Sequence, residues 1–224
     1  VWMRVLITAG GTEEPLDGVR RLSNTSTGAT GLKLARTFAA KEADVMLLHA
    51  ERIAVNGLGV KTAAFLTFDD LGSLLKQQLG SHQFDAVIHL AAVSDYRLAS
   101  LEVDGQILEA PGSGKIPSGR ELVVRLRPNP KLIDKLRGWS LNPALQVVGF
   151  KLTDDPDLDF RLAQVRALVD RGVADLVVHN DISGIGDGLH LASIHSRRGI
   201  LERTSNKNEL AGALYRLLAD GEHS

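Results

Sequence analysis

Val5-Leu6-Ile7-Thr8-Ala9, closed by Gly10-Gly11, is the stretch on which the fold turns. It is short, apolar and rich in β-branched residues, the pattern of a strand buried on both faces of a parallel sheet. The two glycines open a loop where that strand ends. A helix from Gly31 to Ala40 follows, with Leu32, Leu34, Ala35 and Phe38 at helical spacing. Ala43–His49 and Val60–Phe65 read as further strands, and Phe68–Leu79 as a helix capped by Thr67. Asp85–Ala91 is the next buried strand. Strands alternating with helices imply right-handed βαβ units, hence a Rossmann-like, doubly wound, mainly parallel α/β sheet.

Beyond Tyr96 the alternation stops. Arg97 to Arg120 holds Asp104-Gly105, Pro111-Gly112, Gly114 and Pro117-Ser118-Gly119 with few periodic apolar residues. Such a stretch inside a compact domain is usually a lid, a binding loop or a disordered segment. Glu121–Arg127 alternates and reads as a half-exposed strand, so residues 97–127 form a protruding flap and dimerisation segment. Asn129 is expected to cap a short helix beginning at Pro130. Gln146–Lys151 and Asp175–His179 are strands flanking a helix over Leu158–Arg171. Leu189–Ile194 and Gly199–Thr204 read as an edge hairpin, and Asn206–Leu218 as a closing amphipathic helix. No linker divides the 224 residues, which suits one domain.

Composition excludes several classes. Lys plus Arg is 26 and Asp plus Glu is 27, so no basic field draws nucleic acid or an anionic membrane. An anionic ligand needs locally placed groups. With no cysteine there is neither a disulfide framework nor a thiolate metal site. No apolar run approaches the roughly 20 residues of a membrane span, and the N-terminus enters a strand at once. The expectation is a cytoplasmic protein without a signal peptide.

Three segments carry candidate chemistry. The first is the loop Gly10-Gly11-Thr12 with Ser23 through Gly31, where glycines and hydroxyls at a helix N-terminus bind phosphate. Its glycine pair lies about twenty residues before the helix, unlike a dinucleotide fingerprint, and Arg20 and Arg21 intervene. A polar turn with no ligand is the plain alternative. The second is Ala91-Ala92-Val93-Ser94-Asp95-Tyr96 at a strand's carboxyl end, where open α/β sheets bind ligands. Small alanines admit a flat group and Asp95 accepts from an amine or hydroxyl; a packed strand end with Asp95 as a helix cap reads equally well. The third is Gly114-Lys115-Ile116-Pro117-Ser118-Gly119, a lysine on a glycine-rich segment that can close over phosphate, or a solvated surface lysine.

Together these words resemble phosphopantothenoylcysteine synthetase over almost the whole chain. They include Ala9-Gly10-Gly11-Thr12, Glu14-Pro15-Leu16-Asp17, Val19-Arg20, Ser23-Asn24 and Ser26-Thr27-Gly28 with Gly31. Ala91 through Arg97, Gly114-Lys115-Ile116, Asn129-Pro130-Lys131, Val148 through Lys151 and Asn180-Asp181 continue the match. The resemblance implies a ligase joining 4′-phosphopantothenate to L-cysteine through an acyl-nucleotide, with Mg2+ and a nucleoside triphosphate, CTP ahead of ATP. It implies catalytic roles for Asn24 and Lys115, and an Arg20 that grips the substrate phosphate across a homodimer interface. Ala91, Ala92 and Asp95 then hold the pantothenate arm. Gly10, Gly11, Thr12, Ser26, Gly28, Gly31, Phe150, Arg166, Arg171 and Asn180 serve the nucleotide, and the metal ligands stay unassigned.

Departures are Thr27 and Ala29 around Gly28, and the low charge of Ile116-Pro117-Ser118-Gly119 after the flap lysine. A flavin-binding decarboxylase half is missing from the sequence, so no FMN is expected. A short-chain dehydrogenase is the rival enzyme class, since Val87 through Ala92 resembles its fourth strand. It needs Tyr-x-x-x-Lys, whereas Tyr96 and Tyr215 are followed four places on by Ser100 and Ala219. A nucleotide sensor without turnover is the non-enzymatic alternative.

Overall fold

The structure, a computed structural model, describes residues 2–108, 114–116, 118–186 and 189–221. The strand β1 (Arg4–Ala9) leads through a small hairpin, β2 (Glu13–Pro15) and β3 (Arg21–Ser23), into α1 (Ala29–Ala40). Then come β4 (Asp44–Ala50), β5 (Lys61–Phe65), α2 (Phe68–Ser81) and β6 (Ala86–His89). An excursion of three strands follows: β7 (Tyr96–Val103), β8 (Gln106–Leu108) and β9 (Leu122–Pro128). A 3-10 turn over Leu132–Lys135 runs into α3 (Leu136–Trp139), β10 (Gln146–Thr153), α4 (Leu158–Asp170) and β11 (Leu176–Asp181). A short ladder of β12 (Ile185–Gly186) and β13 (Leu189–His190), then β14 (Ala192–Ser196), β15 (Gly199–Thr204) and α5 (Lys207–Asp220), complete the chain.

The main sheet has eight strands in the order β15-β14-β11-β10-β6-β1-β4-β5. From β11 to β5 neighbouring strands are parallel; β14 and β15 are added antiparallel at one edge. The expected Rossmann-like α/β sheet is therefore the fold. After β5 the chain crosses to the other side of β1, so strand order reverses between β1 and β6, and a crevice opens there at their carboxyl ends. Val5, Leu6, Ile7 and Ala9 are fully buried, as are Val87 and Ile88 next to them. Each such large aliphatic side chain stabilises the fold by roughly 1.5–3 kcal/mol.

Helices cover both faces. α1 and α5 pack on each other, with Phe38 and Tyr215 edge to face at 5.3 Å. On the opposite face α2 packs against α3, and the end of α4 is tied to the 3-10 turn by Arg171 and Asp134 at 2.8 Å. Thr67 caps α2 as expected, its hydroxyl accepting from Asp70 N–H while the Asp70 carboxylate accepts from Thr67 N–H. Among the described residues no helix is long and apolar enough to cross a membrane.

Four local expectations are corrected. The loop before α1 contains the β2–β3 hairpin. Much of the segment after Tyr96 is a three-stranded antiparallel sheet, with β7 between β8 and β9. Only Leu101 of β7 is fully buried and β8 is exposed throughout, so no core imposes a readable alternation there. Asn129 caps no helix; its Nδ2 donates to the Ser94 carbonyl (3.0 Å), and the turn begins at Leu132. Leu189 and His190 pair with β12, so the edge hairpin proper begins at Ala192. The hairpin's Gly199–Thr204 strand and the closing helix, α5, are as expected, with Asn206 as its cap.

Candidate functional site

Where β1 ends, its chain stays zipped to the chain leaving β6. Ala92 N–H donates to Gly10 O (2.8 Å) and Thr12 N–H to Ala92 O (3.1 Å). The Thr8 hydroxyl accepts from the amides of Leu90 and Ala91, and the Thr12 hydroxyl from Ser94 N–H. The dyad Ala91-Ala92 is thereby fixed at the switch in strand order.

Asn24 is drawn onto this dyad. Its N–H donates to Thr12 O (3.4 Å) and its Nδ2 to Ala92 O (3.2 Å). Arg52, from the loop after β4, donates Nη2 to the carbonyls of Asn24 (2.9 Å) and Ser26 (3.2 Å), and pairs with Glu13 (2.6 Å). Gly11 lets this approach happen: a Cβ there would lie 2.6 Å from Asn24 O.

Gly28, at the N-cap of α1, has a left-handed φ of 71°. No side chain caps this helix and no acidic residue lies in its first turn. The amides of Thr30 and Gly31 have no partner among the described residues, and Thr27 Oγ1 only weakly accepts from Ala29 N–H (3.4 Å). Free amides and the helix dipole make this end a place for an anion. Gly31 serves packing: a Cβ there would stand 2.5 Å from that of Ala9, so α1 lies directly on β1.

Two cavities adjoin over this crevice. The smaller, about 240 Å³, reaches from the start of α1 (Ser26, Gly28, Gly31) past Gly10 to Phe150 and Asn180. The larger, about 540 Å³, is bordered by Asn24, Asp95, Lys131, His89 and Arg171. Ala91, Ala92 and the run Phe150–Leu152 border both. A ligand in one can thus meet a ligand in the other beside Asn24. Asp95 pairs with Lys131, and Asn180 Nδ2 donates to Leu191 O (2.7 Å).

The flap residues lie apart from both cavities. Asp17, with its side chain fully buried, accepts from Val19 N–H (2.9 Å), Arg20 N–H (2.7 Å), Arg20 Nη1 (3.0 Å) and Ile116 N–H (3.0 Å). Those amides of Val19 and Ile116, with the arginine, hold its carboxyl below the usual carboxylate range. Gly18 N–H also donates to Gly114 O (3.3 Å), and Arg20 Nη2 to Ile116 O (3.3 Å). Lys115, exposed, is therefore held on both sides by the turn that carries Arg20. Pro117 lies outside the described residues.

Of the expected site residues, Gly10, Asn24, Ser26, Gly28, Gly31, Ala91, Ala92, Asp95, Phe150, Arg171 and Asn180 come together along the crevice. Gly11 and Thr12 are buried structural members beneath it. Arg20 and Lys115 sit together on the Asp17 turn, where Arg20 contacts Asp17 and the Ile116 carbonyl and keeps part of its side chain exposed. Arg166 stands elsewhere: it borders a separate cavity of about 320 Å³ with His195 and Arg197, on the far side of α4 from the crevice. Sequence reading gave no part to Arg52, His89, Lys151 or His190, which come from loops and strand ends far apart in the chain. Only the position of His89 and Lys151 at strand ends was a usable signal. Among the described residues no cluster of three or more His, Asp or Glu forms a metal site.

The sequence model of the DNA/pantothenate metabolism flavoprotein C-terminal domain matches residues 2–220. A coenzyme A biosynthesis bifunctional protein, CoaBC, of Thermococcus kodakarensis is 30% identical over 183 residues, 82% of this chain and 42% of that protein. The chain thus spans less than half the length of this relative. Among solved structures, the DNA/pantothenate metabolism flavoprotein from Streptococcus pneumoniae superposes with a TM-score of 0.85 at 23% identity, covering 98% of this chain and all of that one. A Cab2 mutant in complex with phosphopantothenate-cysteine superposes with a TM-score of 0.73 at 18% identity, covering 99% and 89%. These two likenesses concern the fold.

Proposed function

The chain belongs to the DNA/pantothenate metabolism flavoprotein C-terminal domain family, and on that premise we propose that it is a ligase of coenzyme A biosynthesis, joining 4′-phosphopantothenate to L-cysteine at the expense of a nucleoside triphosphate. The observation that carries this reading is the pair of cavities meeting at Ala91-Ala92 beside Asn24. One ends on an uncapped helix N-terminus suited to phosphate. The other has the polar groups Asp95 and Lys131 and room for an extended acyl chain.

In the first step a carboxylate oxygen attacks the α-phosphorus and pyrophosphate leaves. In the second the cysteine nitrogen attacks the acyl carbon, the nucleoside monophosphate leaves, and the amine loses its proton. Neither step moves electrons between redox states, so no flavin is invoked. Bound with the triphosphate, Mg2+ would offset the repulsion between the two anions. The amides of Thr30 and Gly31 hold phosphate oxygens, and Lys115 closes from the Asp17 turn to stabilise charge on the attacked phosphate. Asn24 keeps one Nδ2 hydrogen on Ala92 O and has the other for the acyl oxygen. A neutral amide polarises the carbonyl without competing as a nucleophile. The reading takes CTP before ATP, with the base in the smaller cavity beside Phe150 and Asn180. The reading includes a homodimer, in which Arg20 reaches the partner's substrate phosphate.

Incubation with 4′-phosphopantothenate, cysteine, Mg2+ and CTP or ATP should release pyrophosphate and form 4′-phosphopantothenoylcysteine. Saturable nucleotide binding with no pyrophosphate under any combination would replace the ligase by a sensor.

A further inference from the structure

Thr8 and His89 stand opposite each other at the carboxyl ends of β1 and β6. Thr8 Oγ1 has three neighbours: the amides of Leu90 (3.1 Å) and Ala91 (3.0 Å) and the Nδ1 of His89 (3.1 Å). A hydroxyl has two lone pairs and one hydrogen. Both lone pairs take amide hydrogens, so the single hydroxyl hydrogen goes to His89 Nδ1. That nitrogen is an acceptor and bears no proton. A neutral imidazole in this position carries its hydrogen on Nε2.

The ring is neutral, for burial pushes its pKa down to about 4. Asp95, Lys131, Asp134, Arg171 and Lys151 border the same cavity. Asp95 is paired with Lys131 and Asp134 with Arg171, leaving neither acid free to hold an imidazolium. Lys151, the other charged residue of this group, is a cation and offers an imidazolium no counter-charge. On β10 the residue in register with His89 is Gly149, and the Ile133 side chain fills the space that a Cβ there would take. Nε2 has no hydrogen-bond partner among the described residues, and His89 forms part of the larger cavity's wall.

We propose that His89, locked by Thr8 as the Nε2–H tautomer, is a substrate-binding donor that hydrogen-bonds an oxygen of the acyl substrate, and is not the base that deprotonates the amine. The assignment rests on the functional reading above. It adds a fixed donor on the opposite side of the alanine dyad from the phosphate-binding helix end, and it selects an oxygen acceptor at that point of the acyl chain.

The test is long-range 15N–1H NMR on the whole labelled chain, with His89→Gln identifying the resonances. Nδ1 of His89 should appear as a bare acceptor and Nε2 as protonated from pH 5 to 8, and adding 4′-phosphopantothenate should shift Nε2–H. His89→Leu should raise the KM for 4′-phosphopantothenate roughly 5–10-fold, the scale of one lost hydrogen bond. His89→Gln, which keeps a donor near Nε2, should stay within about 3-fold. A proton on Nδ1, an unshifted Nε2–H on ligand binding, or an unchanged KM in a folded His89→Leu variant overturns the assignment. If the wild type binds no 4′-phosphopantothenate, the functional reading itself fails and takes the ligand with it. Binding without a response at His89 defeats this assignment alone.

Discussion

Asn24 is held by three parts of the chain at once: Thr12 O, Ala92 O and Arg52. Asn24→Asp replaces the Nδ2 donor by a carboxylate facing the Ala92 carbonyl, next to an anionic intermediate. In quenched reactions read by mass spectrometry, this variant should accumulate acyl-nucleotide and give little ligated product. Lys115→Gln should fail one step earlier, forming acyl-nucleotide about 10²–10³-fold more slowly, the usual scale for one transition-state charge contact. Normal turnover by the first variant, or wild-type acyl-nucleotide formation by the second, contradicts these roles. Asp17 offers a separate test. Its folded pKa lies below the unfolded one, so it contributes stability above the unfolded value and loses it as pH falls through the folded value. Asp17→Asn should remove that part of the acid dependence in denaturation curves measured from pH 7 down to pH 2. It should also release the flap, making Lys115–Ile116 more open to proteolysis while the sheet stays folded.

At the scale of elements, α1 is the helix most dependent on glycine. Gly28 must adopt a left-handed backbone, and a Cβ there would lie 2.2 Å from Ile53 Cδ1. Gly28→Ala should cost roughly 1–2 kcal/mol from backbone strain alone, lowering Tm by about 2–8 °C. It should also weaken nucleotide binding, because the start of α1 moves with Ile53. Calorimetry with and without CTP separates the two effects; an unchanged Tm would remove the packing argument. The other helix ends show why sequence reading succeeded there. Thr67, Asp157 and Asn206 each accept amide hydrogens from their own first turns, a contact wholly local in sequence. Asn129 looks like the same signal before Pro130, yet its amide is used by Ser94, which lies 35 residues away. A distant partner overrode a local preference.

For the whole molecule, the excursion β8-β7-β9 leaves β9 as an edge strand, with Val123, Val124 and Leu126 each about 40% exposed and Ile107 on β8 71% exposed. Unpaired edges with apolar side chains invite a second copy. Sedimentation at micromolar concentration should give a dimer, and Val124→Lys should shift it to monomer with loss of ligase activity. A monomer with full activity would defeat the interface and the shared role of Arg20.

The layered α/β fold, the crevice at the ends of β1 and β6 and most of the residues along it are legible in the sequence. Buried strands show as apolar runs, and the loop words Gly10-Gly11-Thr12, Ser23-Asn24 and Ala91-Ala92 are contiguous. Tertiary structure alone decided what lies between such words. It placed Arg52 on the Asn24 loop, fixed the His89 proton through Thr8, 81 residues away, and bound Ile116 to Asp17, 99 residues away. It also put Arg166 outside the crevice, since a helix turns its side chains by about 100° per residue and one face of α4 lies away from the crevice. In the antiparallel excursion, β9 shows in the alternation of Glu121–Arg127, but β7 and β8 escaped sequence reading for a related reason: periodicity records burial against a core, and those two strands have almost none within one chain.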